Sequence, residues 1–193
     1  TWKVKVPQEI LDVLSGKNTY DQEPLDEVLH TAPMQQYQLT ASGGTENFRF
    51  AVAGEYMNTD GIILNSWFKR YSLRANFDAK LSKRLTLRLN LNPSYTNKSA
   101  LPVYTGSDGS MMGSALGTFN WIPLRDPQGG YTVLRGRADL SEINNALATV
   151  EQTIARQNRL RFLGNINAEY KILNGLNVNV MIGTNLMGVK GMT

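Results

Sequence analysis

Apolar and polar residues alternate one for one along several stretches of this 193-residue chain. The strictest is Lys69–Leu81, where Tyr71, Leu73, Ala75, Phe77, Ala79 and Leu81 share one side. Arg70, Ser72, Arg74, Asn76, Asp78 and Lys80 share the other. Successive side chains of a strand point to opposite faces, so this period of two predicts a two-faced β-strand and excludes an amphipathic helix. The same pattern predicts strands at Gln35–Ser42, Asn47–Met57, Leu85–Thr96, Leu160–Ile172 and Leu176–Leu186. Gly43-Gly44-Thr45, Ser82-Lys83-Arg84 and Leu173-Asn174-Gly175 read as tight turns, two of them with the glycine that short hairpins favour. Pro93 cannot donate to a ladder, which predicts a bulge or the end of regular pairing there.

Between the strands the pattern changes. Pro7, Ile10, Leu11, Leu14 and Gly16 predict a short helix with proline at its start and glycine past its end. Pro24, Leu25, Val28 and Leu29 predict a second. Asp21, Glu23, Asp26 and Glu27 are acidic enough to attract a cation, but the dipole of a helix start explains them more simply. Asn58–Phe68 reads as a longer connection. Residues 97–157, rich in Gly, Ser, Pro and Met, read as a very long one. Within them Leu140, Ile143, Leu147 and Val150 predict a helix from about Leu140 to Thr153, with Asp139 and Glu142 as dipole partners at its start.

Composition then removes whole classes. The chain has no cysteine and one histidine, His30. Disulfide frameworks, thiolate metal sites, redox motifs and histidine-based triads therefore lack their parts. No phosphate loop or nucleophile elbow occurs. An enzyme is not expected, nor is a cofactor. The net charge of +4 is modest and dispersed, which gives no case for nucleic acid. No stretch has the roughly 18 apolar residues of a membrane-spanning helix, a criterion that says nothing against a transmembrane β-barrel. The first residues are not a natural start, so the chain reads as mature, trimmed or partial.

Alternating strands suit two architectures. In a soluble β-sandwich the apolar face is core; in a transmembrane barrel it meets lipid and the polar face lines a lumen. Three features favour the barrel. The segments run about 11–13 residues, enough for the roughly 9–11 of a tilted span. The connections alternate short and long. Tyr37, Tyr56, Tyr71, Tyr95 and Phe162 lie toward the long-loop ends, with Phe48, Phe77 and Tyr170 toward the short turns, as two interfacial girdles would. Six strands are too few to close, so the segments are expected to belong to a larger barrel. A soluble β-sandwich ligand-binding module is the alternative.

Several motifs go further. Thr31-Ala-Pro-Met-Gln-Gln-Tyr37, Leu39-Thr-Ala-Ser-Gly-Gly-Thr-Glu46, Gly54-Glu-Tyr-Met-Asn-Thr-Asp-Gly-Ile62 and Phe68-Lys-Arg-Tyr-Ser-Leu-Arg-Ala-Asn76 occur in order. Asn158-Arg-Leu-Arg-Phe-Leu-Gly-Asn165, Glu169-Tyr170 and Gly175-Leu176 follow. Together they resemble the SusC-like (RagA-like) TonB-dependent outer-membrane transporters. The resemblance implies a barrel of 22 strands in the bacterial outer membrane, with an N-terminal plug, a SusD-like lipoprotein lid and TonB coupling through an N-terminal part missing here. It implies import of oligosaccharides or peptides.

By that analogy, residues 1–33 are an extracellular loop segment with short helices and 34–96 hold four barrel strands, the second to fifth. Residues 97–157 are a long extracellular loop with a helix, 158–187 hold two further strands, and 188–193 begin the next loop. The expected lumen wall carries Arg49, Glu55, Arg70, Arg74, Asn76 and Asp78 on the earlier strands. Arg88, Asn90, Arg161, Asn165, Asn167 and Glu169 continue it on the later ones. These residues are expected to hold the plug by ion pairs and hydrogen bonds, or to meet substrate. Trp67, Tyr104, Trp121 and Tyr131 are expected on external loops, in contact with substrate, with the lid or with one another.

Overall fold

The computed structural model describes residues 8–99, 101, 110–136 and 143–192. It contains two compact units, formed by residues 32–60, 67–99 and 155–193 and by residues 1–31, 61–66 and 100–154.

The first unit is one antiparallel sheet whose six strands stand in sequence order: β1 (Met34–Gly44), β2 (Phe48–Asp60), β3 (Trp67–Lys80), β4 (Leu85–Ser99), β5 (Arg156–Leu173) and β6 (Leu176–Met192). All six expected strands are present and the fold is all-β. Each reaches further than its alternation showed, because once a neighbour supplies a ladder, non-alternating residues also find backbone partners. Two expectations change as a result. Asn58–Asp60 and Trp67–Phe68 are paired strand residues, so the β2–β3 connection shrinks to Gly61–Ser66. Residues 188–192 are not loop but the continuation of β6 against Arg156–Leu160. The interruption of regular pairing expected at Pro93 occurs on one side, without a bulge: pairing with β3 lapses between Ser72↔Ser94 and Ala75↔Leu91, and resumes in the same register. The β5 side of Pro93 is unbroken, paired with Phe162. The tight turns hold, with Gly44 and Gly175 at φ 151° and 91°; a Cβ on Gly44 would lie 2.2 Å from the Phe48 carbonyl oxygen.

Among the described residues no second sheet covers the first, as the β-sandwich alternative would require. Among the described residues of this unit, Ala75 and Ala155 are the buried hydrophobic ones.

The second unit holds the hydrophobic core. Val28, Ile63, Met111, Leu124, Leu134 and Val150 are all buried and pack with Ala115, Ile122, Ala146 and Leu147. Thus three segments far apart in sequence bury their apolar residues in one cluster. Two short helices supply part of it, α2 (Met111–Gly117) and α3 (Ala146–Gln152), and the unit also contains α1 (Gln8–Leu14). The first helix is where the sequence put it, with Gly16 at φ 72° just past its end; Pro7 lies outside the described residues. The run after Pro24 forms turns instead of a helix, and Leu29 leaves it to bridge Ile63. Helix α3 is shorter than expected because Asn145 caps it, accepting from the Ala148 amide at 3.0 Å. Asp139, Leu140 and Glu142 lie outside the described residues. Helix α2 was not expected from the sequence; Ser110 caps it, its Oγ accepting from the Gly113 amide at 3.0 Å.

Candidate functional site

The register decides which side chains share a face, and it gathers all twelve expected wall residues onto one. Arg49, Asp78, Arg88 and Asn167 stand in one cross-strand row, and Asn76, Asn90 and Asn165 in the next. Arg74 opposes Ala53, Glu55 joins Ser72, Ser94 and Arg161, and Glu169 opposes Thr86. Arg70 opposes Met57 and reaches diagonally to pair with Glu55. Arg88 donates to Glu169 at 3.1 Å, Asn90 Nδ2 to Asn165 Oδ1 at 2.8 Å, and Arg161 Nε to Asn185 Oδ1 at 3.2 Å. The Arg88–Glu169 pair is about 45% and 33% exposed, so it orients side chains more than it stabilises the sheet. The face is a lattice of cationic and amide groups with sparse carboxylates.

The opposite face is apolar and bare. Leu39 is 81% exposed, Ile182 67% and Leu186 63%. Its aromatics are ordered more closely than alternation alone revealed. Tyr37, Tyr56, Tyr71 and Tyr95 occupy a single cross-strand row, with successive ring centroids 6.4, 5.0 and 6.4 Å apart. Toward the tight turns, Phe48 lies 6.2 Å from Phe50 and 6.3 Å from Phe77. Phe162 pairs with Pro93 one row inside the tyrosines, and Leu160 takes the place in the row that Phe162 was expected to mark. Tyr56 to Phe48 is eight steps, about 27 Å along an antiparallel strand. A tilt of about 40° makes that roughly 20 Å along the normal, close to the ~25 Å apolar band of outer-membrane barrels.

The aromatics expected on loops divide. Trp67 is the first residue of β3, paired with Asp60, and Lys69 Nζ lies 5.9 Å from its ring. It is therefore not a loop residue. Tyr104 lies outside the described residues. Trp121 stacks on Phe119 at 4.4 Å and 6°, and its buried Nε1 finds no acceptor among the described residues. Tyr131 donates to Glu151 Oε2 at 2.5 Å, while Arg125 binds both oxygens of that carboxylate at 2.8 Å and lies 5.3 Å from the Tyr131 ring. The hydrogen bond to Glu151 holds the Tyr131 hydroxyl above its ordinary pKa, and the same bond holds the Glu151 carboxyl below its own. Burial, with help from Glu27, pushes Tyr20 up to about 12. Phe119 and the Arg125–Glu151 pair escaped the sequence reading. The turn chemistry of Asp126-Pro-Gln-Gly-Gly130 was the available signal for the latter, because it returns Tyr131 to bridge Arg125. No cluster of metal-ligating side chains occurs among the described residues.

No protein-family model matches the chain. Two curated relatives come from Formosa agariphila. TonB-dependent receptor P3 is 24% identical over 162 residues, 82% of this chain and 16% of its own length. TonB-dependent receptor P26 is 26% identical over 145 residues, 75% and 14% respectively. The chain thus spans about a sixth of the length of the relatives it matches. Among solved structures, the RagAB peptide transporter superposes with a TM-score of 0.72 at 20% identity, covering 98% of this chain and 24% of that one. The RagAB peptide importer in its closed-closed state gives 0.69 at 20% identity, over 90% and 20%. Sequence relatives and fold neighbours agree with the SusC-like (RagA-like) resemblance that the motifs carry.

Proposed function

We propose that this chain is a run of consecutive transmembrane strands, with their loops, from the barrel of a TonB-dependent importer in the bacterial outer membrane. One observation carries the reading: a bare apolar face, edged by a tyrosine row and a phenylalanine cluster, backs directly onto a charged and amide-rich face. In water the bare face would be an aggregation surface; in a bilayer it is the surface lipid requires. Free edges on β1 and β6 are prohibitive in lipid, so both take further strands in a closed barrel, for which the resemblance gives 22 in all.

In this reading the six strands are the second to seventh, and the unit built from residues 1–31, 61–66 and 100–154 is the folded extracellular part. The polar face lines the lumen, where Arg49, Arg74, Asp78 and their neighbours meet plug, water or cargo. A SusD-like lipoprotein lid and TonB act on the whole importer. Its cargo is an oligosaccharide or a peptide, and the RagAB peptide importers favour the latter.

Leu89 and Asn90 are adjacent and on opposite faces, which makes them the test. The complete transporter is reconstituted in lipid vesicles with a single cysteine at either position. Leu89→Cys is expected to react with a lipid-soluble maleimide only, and Asn90→Cys with a water-soluble one. A monomer that folds in detergent-free buffer, with the apolar face packed against its own chain, would overturn the reading.

A further inference from the structure

The apolar face is not apolar to its end. Beyond the tyrosine row, toward the long loops, the next cross-strand row on this face is Gln35, Asn58, Lys69, Asn97, Asn158 and Lys190. Arg156 follows one row further on β5, and Lys69, Arg156 and Lys190 are exposed. Asp60, on β2, is the only carboxylate on this face of the described strands, so positive charge is in surplus from β3 to β6. From the tyrosine row to the tight turns the described strands carry no charge on this face. Two residues at about 3.4 Å each, on a strand tilted by about 40°, put the lysine row about 5 Å beyond the tyrosines. That is the depth of lipid headgroups.

The tyrosine row itself stops at β4. Leu160 and Gly188 continue it, and a Cβ on Gly188 would meet nothing within 4 Å. Past that gap, toward the middle of the band, Leu89, Leu91, Phe162, Gly164, Ile182 and Thr184 line an open apolar groove of about 190 Å³. It is roomier than the ~150 Å³ cavity that accepts benzene. Gly164 keeps it open, since a Cβ there would come within 3.1 Å of Leu91 Cδ2.

We propose that the β3–β6 part of this face binds one lipid that carries two phosphates and several acyl chains, from the leaflet on the long-loop side. Its phosphates sit on Lys69, Arg156 and Lys190, and one acyl chain lies in the groove. The inference rests on the barrel reading above. Charge complementarity names the headgroup. Lys69 and Lys190 stand three strands apart in one row, about 14 Å at ~4.8 Å per strand. Converging on a single phosphate would need both side chains fully extended along the sheet, whereas two phosphates let each engage its own. Arg156, diagonal to Lys190, can grip a phosphate with two parallel hydrogen bonds. Asn97 Nδ2 donates to Asn158 Oδ1 at 2.5 Å, and the Asn158 NH2, which that bond does not use, offers a donor between the lysines. An acidic peptide would satisfy the cations, but to fill the groove it would have to lie in hydrocarbon with its backbone unpaired. An acyl chain enters at no such cost.

The complete transporter, purified in detergent and stripped of lipid, is mixed with equal moles of bisphosphorylated lipid A and phosphatidylglycerol. Native mass spectrometry then counts the lipid retained. Lipid A is expected to be retained in preference, and a large excess of inorganic phosphate is expected not to displace it. The combined Lys69→Gln, Arg156→Gln and Lys190→Gln variant should retain at least about tenfold less, because each basic side chain at a membrane surface contributes to holding anionic lipid. Thr184→Phe, which fills the groove, should also lower retention. Folding is confirmed by heat-modifiable gel migration, and Lys190→Gln alone or Thr184→Leu replaces a variant that fails it. Lys98→Gln, which removes a charge at nearly the same height on the opposite face, should change nothing. Undiminished retention in the charge variants or in the groove variants overturns the proposal. So does displacement by inorganic phosphate, or equal retention of phosphatidylglycerol, since the face then holds anions or anionic lipids without distinction. Leu89→Cys in vesicles keeps this failure apart from that of the barrel. Labelled by the lipid-soluble maleimide only, it preserves the barrel reading even where lipid A is not retained; labelled by the water-soluble one, it removes both.

Discussion

In the loop unit, Leu124 and Leu134 are 0% and 1% exposed, whereas in the sheet Leu39 and Ile182 are 81% and 67% exposed. The same chain therefore treats equivalent side chains in opposite ways. The loop unit gathers residues from three distant segments and satisfies their apolar surface internally, so it carries its own hydrophobic driving force. The sheet is ordered by backbone ladders and cross-strand pairs such as Tyr56–Tyr71, and it leaves its apolar surface to whatever surrounds it. The difference teaches that the two regions answer to different solvents. The loop unit should be indifferent to lipid, and the sheet should depend on it.

Truncating the loop core is the strongest way to break that comparison. Leu124→Ala removes a fully buried side chain from the centre of the cluster, at an expected cost of about 2–5 kcal/mol. Hydrogen exchange should report lost protection in α2 and α3, equally in detergent and in lipid, with β3 and β4 unaffected. Comparable loss in β3 and β4 would show that the regions do not fold independently. Leu89→Arg attacks the other side. It lies in the row of Phe50 and Phe77, one row to the turn side of the middle of the apolar band, and should cost about 2 kcal/mol in a bilayer, read as a lower unfolding midpoint in vesicles. An unchanged midpoint would remove lipid from that face.

The two regions were also unequally legible. Alternation exposed all six strands, because a period of two survives any context in which a face is shared. Boundaries were lost where pairing continued without alternation, as at Gly188–Met192 and at Asn58–Asp60. All twelve expected wall residues fell on one face because parity alone fixes that, but parity read across single strands could not reveal that the tyrosines form one row. The loop unit was nearly silent. Val28, Ile63, Leu124 and Val150 are brought together by long-range packing, which leaves no periodic trace in any one segment, and a stretch read as a long irregular connection supplies most of the core. Trp67 was misplaced for the same reason that β3 was underestimated.

Finer substitutions sharpen the comparison. Asn145 donates to the carbonyls of Leu124 at 2.6 Å and Thr132 at 3.0 Å while capping α3. Asn145→Ala removes the cap and the amide donor to both carbonyls, of which Leu124's keeps the Thr132 amide at 3.0 Å, for about 1–2 kcal/mol. It should show as faster exchange in α3 alone. Asn90→Ala, on the sheet, loses only the exposed hydrogen bond to Asn165, a cross-strand pair of about 0.2–1 kcal/mol, and should scarcely move the midpoint that Leu89→Arg lowers. If Asn90→Ala proved the costlier of the two in vesicles, the assignment of faces would be inverted.

Acidification makes the gentlest distinction. Glu151 is held below its ordinary value of 4.5, chiefly by the Tyr131 hydroxyl and also by Arg125. A carboxyl whose folded pKa is depressed contributes stability that is present above its unfolded value and lost as pH falls through the folded one. Tyr131 has the opposite sign: its raised pKa gives a contribution present at neutral pH and lost only in strong alkali. As pH falls from about 4.5 through the lower folded value of Glu151, the loop unit should therefore weaken slightly. Tyr131→Phe removes the principal cause of the shift, so its thermal midpoint, followed by Trp121 fluorescence, should fall less across that interval than that of the unmodified protein. An identical fall in both would place the acid sensitivity elsewhere and leave the Arg125–Glu151–Tyr131 cluster as packing alone.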